Sequence, residues 1–234
     1  MTKVAVITGG NRGIGKEIAL AYQGAGYQVF ITSRSPIELV GCTTLIADLT
    51  KQGAADAIFD QIESAGFQVD VLVANAGISR EALLIRTSDD DIEDLLQTNL
   101  AATIKLCRRA AKSMMKQRSG SIILIGSVLG MSGSAGSTVY AATKSALIGL
   151  ARSMARELGS RNVRVNVVAP GYVNTDMTNS LPTGFKEQVI SQTPLGRIAE
   201  PAEIANTVLF LGSEDAGFIT GALIPVDGGL GMGN

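Results

Sequence analysis

Short apolar runs alternate with longer amphipathic stretches along nearly the whole chain. Val4–Thr8, Gln28–Ser33, Thr44–Ala47, Val69–Ala74, Ser121–Gly126, Val163–Ala169 and Ala222–Val226 read as strands. Their apolar positions are continuous rather than alternating, which means burial on both faces and hence a parallel sheet. Gly13–Ala25, Gly53–Ser64, Asp90–Gln117, Thr138–Leu158 and Pro201–Leu211 carry the wider spacing of helices. Right-handed crossovers then make a doubly wound parallel sheet, helices on both faces, the economical topology. One α/β domain over residues 1–234 accommodates all of it. Two stretches break the pattern. Between Ser33 and Thr44 there is too little chain for a crossover with a full helix, so a truncated connection is predicted. Gly171–Arg197 lacks a clean helical pattern and holds Pro182, Gly184, Pro194 and Gly196, which predicts a mobile lid.

Thr8-Gly9-Gly10-Asn11-Arg12-Gly13-Ile14-Gly15 leaves the first strand and opens the first helix. Glycines there permit a tight turn and close approach of phosphate oxygens to backbone N–H groups, and the helix N-terminus adds positive potential. That is the dinucleotide cradle of a Rossmann-type sheet. The second strand ends in Ser33-Arg34, without the carboxylate that grips free ribose hydroxyls. Arg12 and Arg34 instead suit a 2′-phosphate, so the reading is NADP(H). Asp48-Leu49, after the third strand, is placed to touch the adenine; a helix N-cap role for Asp48 or Thr50 competes on almost equal terms. Asn75-Ala76-Gly77 lets the chain pass under the cofactor, with Asn75 bridging backbone groups across the sheet edge.

The chain has no histidine. His-ligated zinc, Ser-His-Asp hydrolysis and Cys-His chemistry are therefore excluded, and no metal site is expected. Acid–base work near neutral pH must fall to another group. Tyr140 and Lys144 stand one helical turn apart and face the same way. The ammonium is expected to favour the phenolate, fitting Tyr140 to give a proton to a carbonyl oxygen as hydride reaches carbon. Ser127, after the fifth strand, can donate a hydrogen bond to the same oxygen. Lys144 can also reach the nicotinamide ribose. Asn99 is a polar residue amid Leu95, Leu96, Leu100 and Ile104, and is expected to hold a water that relays protons to Lys144.

These motifs resemble classical short-chain dehydrogenases/reductases over essentially the whole length, and more narrowly the 3-oxoacyl-acyl-carrier-protein reductases of fatty acid synthesis. The resemblance rests on the glycine loop, Asn75-Ala-Gly77, Asn99, Ser127, Tyr140-x-x-x-Lys144, Pro170-Gly171 and Val226-Asp-Gly-Gly229. Gly77–Leu84, Arg164–Met177 and Thr193–Ile198 carry the narrower likeness. It implies a catalytic tetrad of Ser127, Tyr140, Lys144 and Asn99. Cofactor contacts would fall on the glycine loop, Asp48, Asn75, the Pro170-Gly171 turn and the backbone near Val173 and Thr175. Docking arginines for an acyl carrier protein fall on Arg118 and Arg161, expected to flank the active-site mouth; solvated surface arginines are the rival reading. A tetramer is also implied, with Pro225–Gly229 at one interface. Ala74 departs from the family's usual Asn, and the second helix is cut short.

Composition narrows the partners. Charged residues make up 18% of the chain and the net charge is -1, which gives no general grip on nucleic acid or an acidic membrane. No apolar run reaches the length of a membrane span. The first residues run straight into a strand, leaving no room for a leader ahead of it. Cys42 and Cys107 lack CxxC spacing and fit a reducing, cytoplasmic compartment. The leading expectation is NADPH-dependent reduction of a 3-oxoacyl thioester. A reductase for another ketone (quinone, steroid, sugar or polyketide) and an NADP-binding structural or regulatory subunit stay open beside it.

Overall fold

The computed structural model describes residues 2–179 and 183–233. Its strands are β1 (Val4–Ile7), β2 (Gln28–Ser33), β3 (Cys42–Ile46), β4 (Val71–Ala74), β5 (Gly120–Ile125), β6 (Val163–Pro170) and β7 (Leu223–Val226). All adjacent pairs are parallel, in the order β3-β2-β1-β4-β5-β6-β7. The winding direction reverses at β1, which lies between β2 and β4. The C-terminal ends of β1 and β4 therefore diverge into the crevice where doubly wound sheets take ligands.

The helices are α1 (Gly13–Gly24), α2 (Ala54–Ser64), α3 (Asp89–Leu95), α4 (Ala102–Gln117), α5 (Leu129–Ser132), α6 (Thr138–Leu158), α7 (Asp176–Asn179), α8 (Thr183–Gln192) and α9 (Pro201–Gly212). The continuous apolar strands split by alternation. Val4 and Val6 join Phe59, Leu72, Met114, Ile122 and Leu147 under α2, α4 and α6. Ala5 and Ile7 join Ile18, Tyr22, Ile31, Val208 and Leu211 under α1 and α9. Both layers thus bury one face of the sheet, the arrangement that continuous apolar strands require. Tyr22 ties α1 to α9 by donating its hydroxyl hydrogen to the Val208 carbonyl at 2.9 Å.

Most expected boundaries shift by no more than an end residue or two. The connection from Ser33 to Cys42 contains no helix, as its length required; Ile37 and Leu39 fold back onto the α1 side of the core. Two expectations need correction. The single helix expected over Asp90–Gln117 is α3 and α4 joined by a π-helical segment, Leu96–Ala101. The segment between Gly171 and Arg197 holds α7 and α8 rather than irregular chain. Thr183–Gln192 carries no apolar stripe, so hydrophobic spacing gave α8 no signal; Pro182 lies outside the described residues.

Candidate active site

The phosphate end is built mostly from backbone. Gly9 takes φ +64, and a side chain on it would press against Ala76 Cα. At Gly15 a Cβ would overlap the Gly9 carbonyl oxygen and Asn75 Nδ2, so only glycine lets α1 start this close to β4. Arg12 precedes α1 in extended conformation and its side chain does not cap the helix. The first-turn N–H groups of α1 are left for an anion. Ile14 packs into the core beneath this turn, while Asn11 and Arg12 are exposed above it.

Thr8 organises the neighbouring strand end. Its Oγ1 accepts from the backbone N–H groups of Asn75 and Ala76, each at 3.0 Å. Asn75 Nδ2 donates to the Thr8 and Gly9 carbonyls at 2.9 and 3.3 Å. Asn75 therefore bridges β1 and β4 as its position suggested. Thr32 adds an acceptor for the Gly9 N–H at 3.1 Å. Thr8 entered the sequence reading only as the first residue of the glycine motif and Thr32 not at all; both are polar residues at or near the end of an apolar strand, buried in the structure.

Arg34 is exposed just beyond β2. Asp48 accepts from Thr50 N at 3.0 Å and Thr50 Oγ1 at 2.7 Å. These bonds hold its carboxyl below the usual range, with Lys51 and Arg34 adding attraction. The residue preceding α2 is Gly53, so the helix-cap alternative for Asp48 and Thr50 gives way to a local turn. Leu49 beside it packs against the core. On the opposite flank, Thr175 lies against the glycine loop, 3.5 Å from where a Gly13 Cβ would stand. Val173 pairs with Ala199, Gly171 N donates to Val226 O at 3.0 Å, and the Pro170 carbonyl accepts from Val128 N at 2.8 Å.

The proton-handling end is built from side chains on α6 and the end of β5. Ser127 follows β5, and its Oγ accepts from Leu129 N at 3.2 Å, with the Tyr140 phenol close enough for Ser127 to act on its acidity. Gly130 lets α5 rest on the backbone of α6 at Lys144 and Ser145. Lys144 is buried, and its Nζ donates to the Ile125 carbonyl at 2.8 Å. That ammonium lies 5.8 Å from the Tyr140 ring centroid. The expected lowering of the phenol by Lys144 is not what this structure holds. Burial pushes the Tyr140 phenol up, Ser127 opposes it, and Tyr172 adds to the rise. Burial also pulls Lys144 down to about 8. Desolvation outweighs the pair attraction because Nζ is turned to Ile125 rather than to the phenol oxygen. Tyr140 is consequently a protonated phenol at neutral pH, the form needed to give a proton away.

Asn99 sits in the π-helical segment with about 1% of its surface exposed. Its Oδ1 accepts from Ile78 N at 2.8 Å, and Nδ2 donates to Ile78 O at 2.9 Å and to Thr143 Oγ1 at 3.2 Å. Both amide hydrogens are spent on protein groups, so a relay water held by Asn99 would have to donate to its oxygen atoms. The structure does bring Asn99 and Lys144 together: a Cβ on Gly77 would lie 3.2 Å from Asn99 Oδ1 and 3.5 Å from Lys144 Nζ. Tyr172, also unforeseen, packs edge-on against Phe185 of α8 at 5.7 Å between ring centroids, a contact within the candidate lid, and it is the influence of Tyr172 on the Tyr140 phenol that links this segment to the site.

Arg118 and Arg161 are elsewhere. Arg118 caps α4 in left-handed conformation just before β5, and Arg161 ends the turn before β6. Both stand at the N-terminal edge of the sheet, whereas Ser127 lies past the other end of β5, roughly 20 Å along the strand. Within one chain they do not flank the active-site mouth. Arg118 Nη2 instead reaches the Ser160 carbonyl at 3.5 Å. Among the described residues no cluster of His, Cys, Asp or Glu could hold a metal ion, and no helix is long and apolar enough to cross a membrane.

An uncapped helix start over a glycine turn, beside a protonated tyrosine backed by serine and lysine, defines the apparatus of a nicotinamide-dependent oxidoreductase. Residues 9–231 match the family described as Enoyl-(Acyl carrier protein) reductase. The chain is 42% identical to a 3-oxoacyl-[acyl-carrier-protein] reductase of Mycobacterium tuberculosis, over 100% of this chain and 95% of that protein. It is 40% identical to the protein of the same description from Escherichia coli, over 98% of each. A carbonyl reductase family member 4 from Xenopus laevis is 43% identical over 98% of each chain. A crystal structure of a putative gluconate dehydrogenase from Agrobacterium tumefaciens superposes with TM-score 0.95 at 29% identity, covering 98% of this chain and 96% of that one. The chain belongs to the short-chain dehydrogenase/reductase family, oxidoreductases of CH–OH and C=O groups that bind a nicotinamide cofactor.

Proposed function

We propose that this protein is a single-domain NADPH-dependent reductase of 3-oxoacyl thioesters carried on acyl carrier protein. The observation that carries the reading is the protonated Tyr140 phenol beside Ser127 and Lys144, on the same edge of the sheet as a glycine turn that fits a dinucleotide. The family description names an enoyl reduction, but relatives at 40% and 42% identity over the full length are named for the 3-oxoacyl reaction, which narrows the substrate class.

The residues fit a nicotinamide dinucleotide. Free N–H groups at Gly13–Gly15 would take the pyrophosphate, Asn75–Gly77 and Pro170–Thr175 would line its path, and Asp48-Leu49 would border the adenine. Arg12 and Arg34, with no carboxylate ending β2, favour the 2′-phosphorylated form. The bound cofactor would supply hydride to the carbonyl carbon. Tyr140 gives its phenolic proton to the oxygen, and Ser127 holds that oxygen by a hydrogen bond. Lys144 places a charge behind the phenolate left on Tyr140, and Asn99 holds the Ile78 loop and α6 in register. Residues 171–197 act as the lid over the acyl arm, with Tyr172 and Phe185 at its base. An acidic carrier protein, a homotetramer and a cytoplasmic setting complete the reading. Any carrier docking at Arg118 and Arg161 would need a second copy to turn them toward this mouth.

The test is turnover of NADPH with acetoacetyl groups on carrier protein and on coenzyme A. A carrier-linked substrate preferred by orders of magnitude in kcat/KM supports the reading; no turnover of either by folded, cofactor-binding protein sinks it. The Xenopus relative, named a carbonyl reductase, supports a second reading: a free ketone preferred over both thioesters would establish it.

A further inference from the structure

Thr143 immediately precedes Lys144 on α6, yet its side chain does not face the crevice. It is buried with about 1% of its surface exposed, against the π-helical segment. Its hydroxyl has a fixed polarity. Asn99 Nδ2 donates to Oγ1 at 3.2 Å, and Oγ1 donates onward to the Tyr140 carbonyl at 2.7 Å. Asn99 is itself locked, with two bonds to Ile78 and its own carbonyl accepting from Thr103 Oγ1 at 2.9 Å. A continuous path therefore runs from the chain segment under the cofactor crevice, through the amide of Asn99 and the hydroxyl of Thr143, to the turn of α6 that bears Tyr140 and Lys144.

We infer that Thr143 is the positioning residue through which the π-helical segment sets the rotation of α6, and with it the placement of Tyr140 and Lys144. Three features support this. Asn99 lies buried within the π-helical segment, and its amide reaches α6 at Thr143. The bonds on Asn99 leave Thr143 as its link to that helix among the described residues. A threonine hydroxyl in a helix ordinarily only bonds back to its own preceding turn. Here the back-bond is gated by a donor from another element, which a valine in the same space would sever. Removing the hydroxyl leaves a buried amide hydrogen unpaired and loosens the hold on the first turns of α6, while Leu147, Ala151 and Met154 keep the rest of the helix in the core. Thr143 touches no reacting atom, so its loss should appear in the chemical step and not in binding.

The inference rests on the reductase reading, and wild-type turnover of the acetoacetyl thioester is the control that separates the two. Steady-state rates, NADPH affinity and thermal midpoints are measured for Thr143→Val, Thr143→Ser, Asn99→Ala and the Asn99→Ala/Thr143→Val double variant. Thr143→Val is expected to lower kcat by between about ten- and a hundredfold, with KM and NADPH affinity within about threefold of wild type. Thr143→Ser should recover most of that loss, and the double variant should be no slower than Asn99→Ala, because both single changes cut one path. A folded Thr143→Val with wild-type kcat overturns the inference. So does an equal loss in Thr143→Ser, which would assign the effect to the methyl group, or full additivity in the double variant. Should Thr143→Val not fold, Thr143→Ala set against Thr143→Ser makes the same comparison. An inactive wild type would instead count against the proposed reaction.

Discussion

The cofactor cradle and the proton-handling corner share one edge of the sheet but are made of different material. The cradle is backbone: a positive-φ glycine, a glycine too crowded for a methyl group, and an uncapped helix start. The corner is side chains: a raised phenol, a buried amine and an amide threaded through a π-helical turn. A surface made of backbone is sensitive to added volume and indifferent to most chemistry. A site made of buried polar side chains is sensitive to the removal of single atoms, because each lost partner strands another group away from water.

That contrast can be broken by experiment. The largest effect is expected from Tyr140→Phe, which deletes one oxygen: kcat should fall by about a hundredfold to ten-thousandfold, with NADPH affinity unchanged by fluorescence titration. Retained turnover would remove Tyr140 from its role. Gly15→Ala adds one methyl group to the cradle and should weaken NADPH binding by more than about tenfold, since the clash falls on backbone and Asn75. Binding unchanged by calorimetry would show that the cradle yields. Arg12→Ala with Arg34→Ala should raise the NADPH dissociation constant by roughly ten- to a hundredfold and leave that of NADH nearly unchanged, as expected for charge-assisted bonds to a phosphate. Equal effects on both cofactors would argue against a 2′-phosphate contact.

A change of opposite sign, outside catalysis and binding, concerns stability. Lys144 loses its proton near pH 8 when folded and near 10.5 when unfolded. Between those values the unfolded chain holds more protons, so stability climbs with pH across that window; below it, the cost of the buried charge is fully present. Lys144→Met should abolish that climb and stabilise the protein at pH 7 by on the order of 3 kcal/mol, even as it impairs catalysis. Denaturant midpoints at pH 7 and pH 10 read both effects, and a less stable variant would contradict the assignment.

How much of this was legible in the sequence follows the same division. The strands were legible because burial on both faces leaves an unbroken apolar run, and Tyr140 and Lys144 because a helix turn brings them to one side. The glycine loop was legible because few other residues tolerate its geometry. The π-helical segment was not, since Leu96–Ala101 has ordinary helix-forming composition and the wider turn goes with bonds from Asn99 to the distant Ile78. Helix α8 lacked an apolar stripe to announce it. The direction of the Tyr140 shift could not be read from spacing, because it depends on whether Lys144 Nζ points to the phenol or to Ile125. The place of Arg118 and Arg161 was legible, because each lies two residues before a strand, and in a parallel sheet that puts both at the edge opposite the ligand crevice.

The helix-free connection Arg34–Gly41 has a consequence for how such a protein can change over time. It begins at Arg34, the residue proposed to meet the adenosine end, and Ile37 and Leu39 anchor it to the core on the α1 and α9 side, across the sheet from α6. If Arg34 meets a 2′-phosphate as proposed, exchanging this segment together with Arg12 would alter the choice between phosphorylated and unphosphorylated dinucleotide while the residues around Tyr140 stayed in place, making cofactor preference a separable part of the fold.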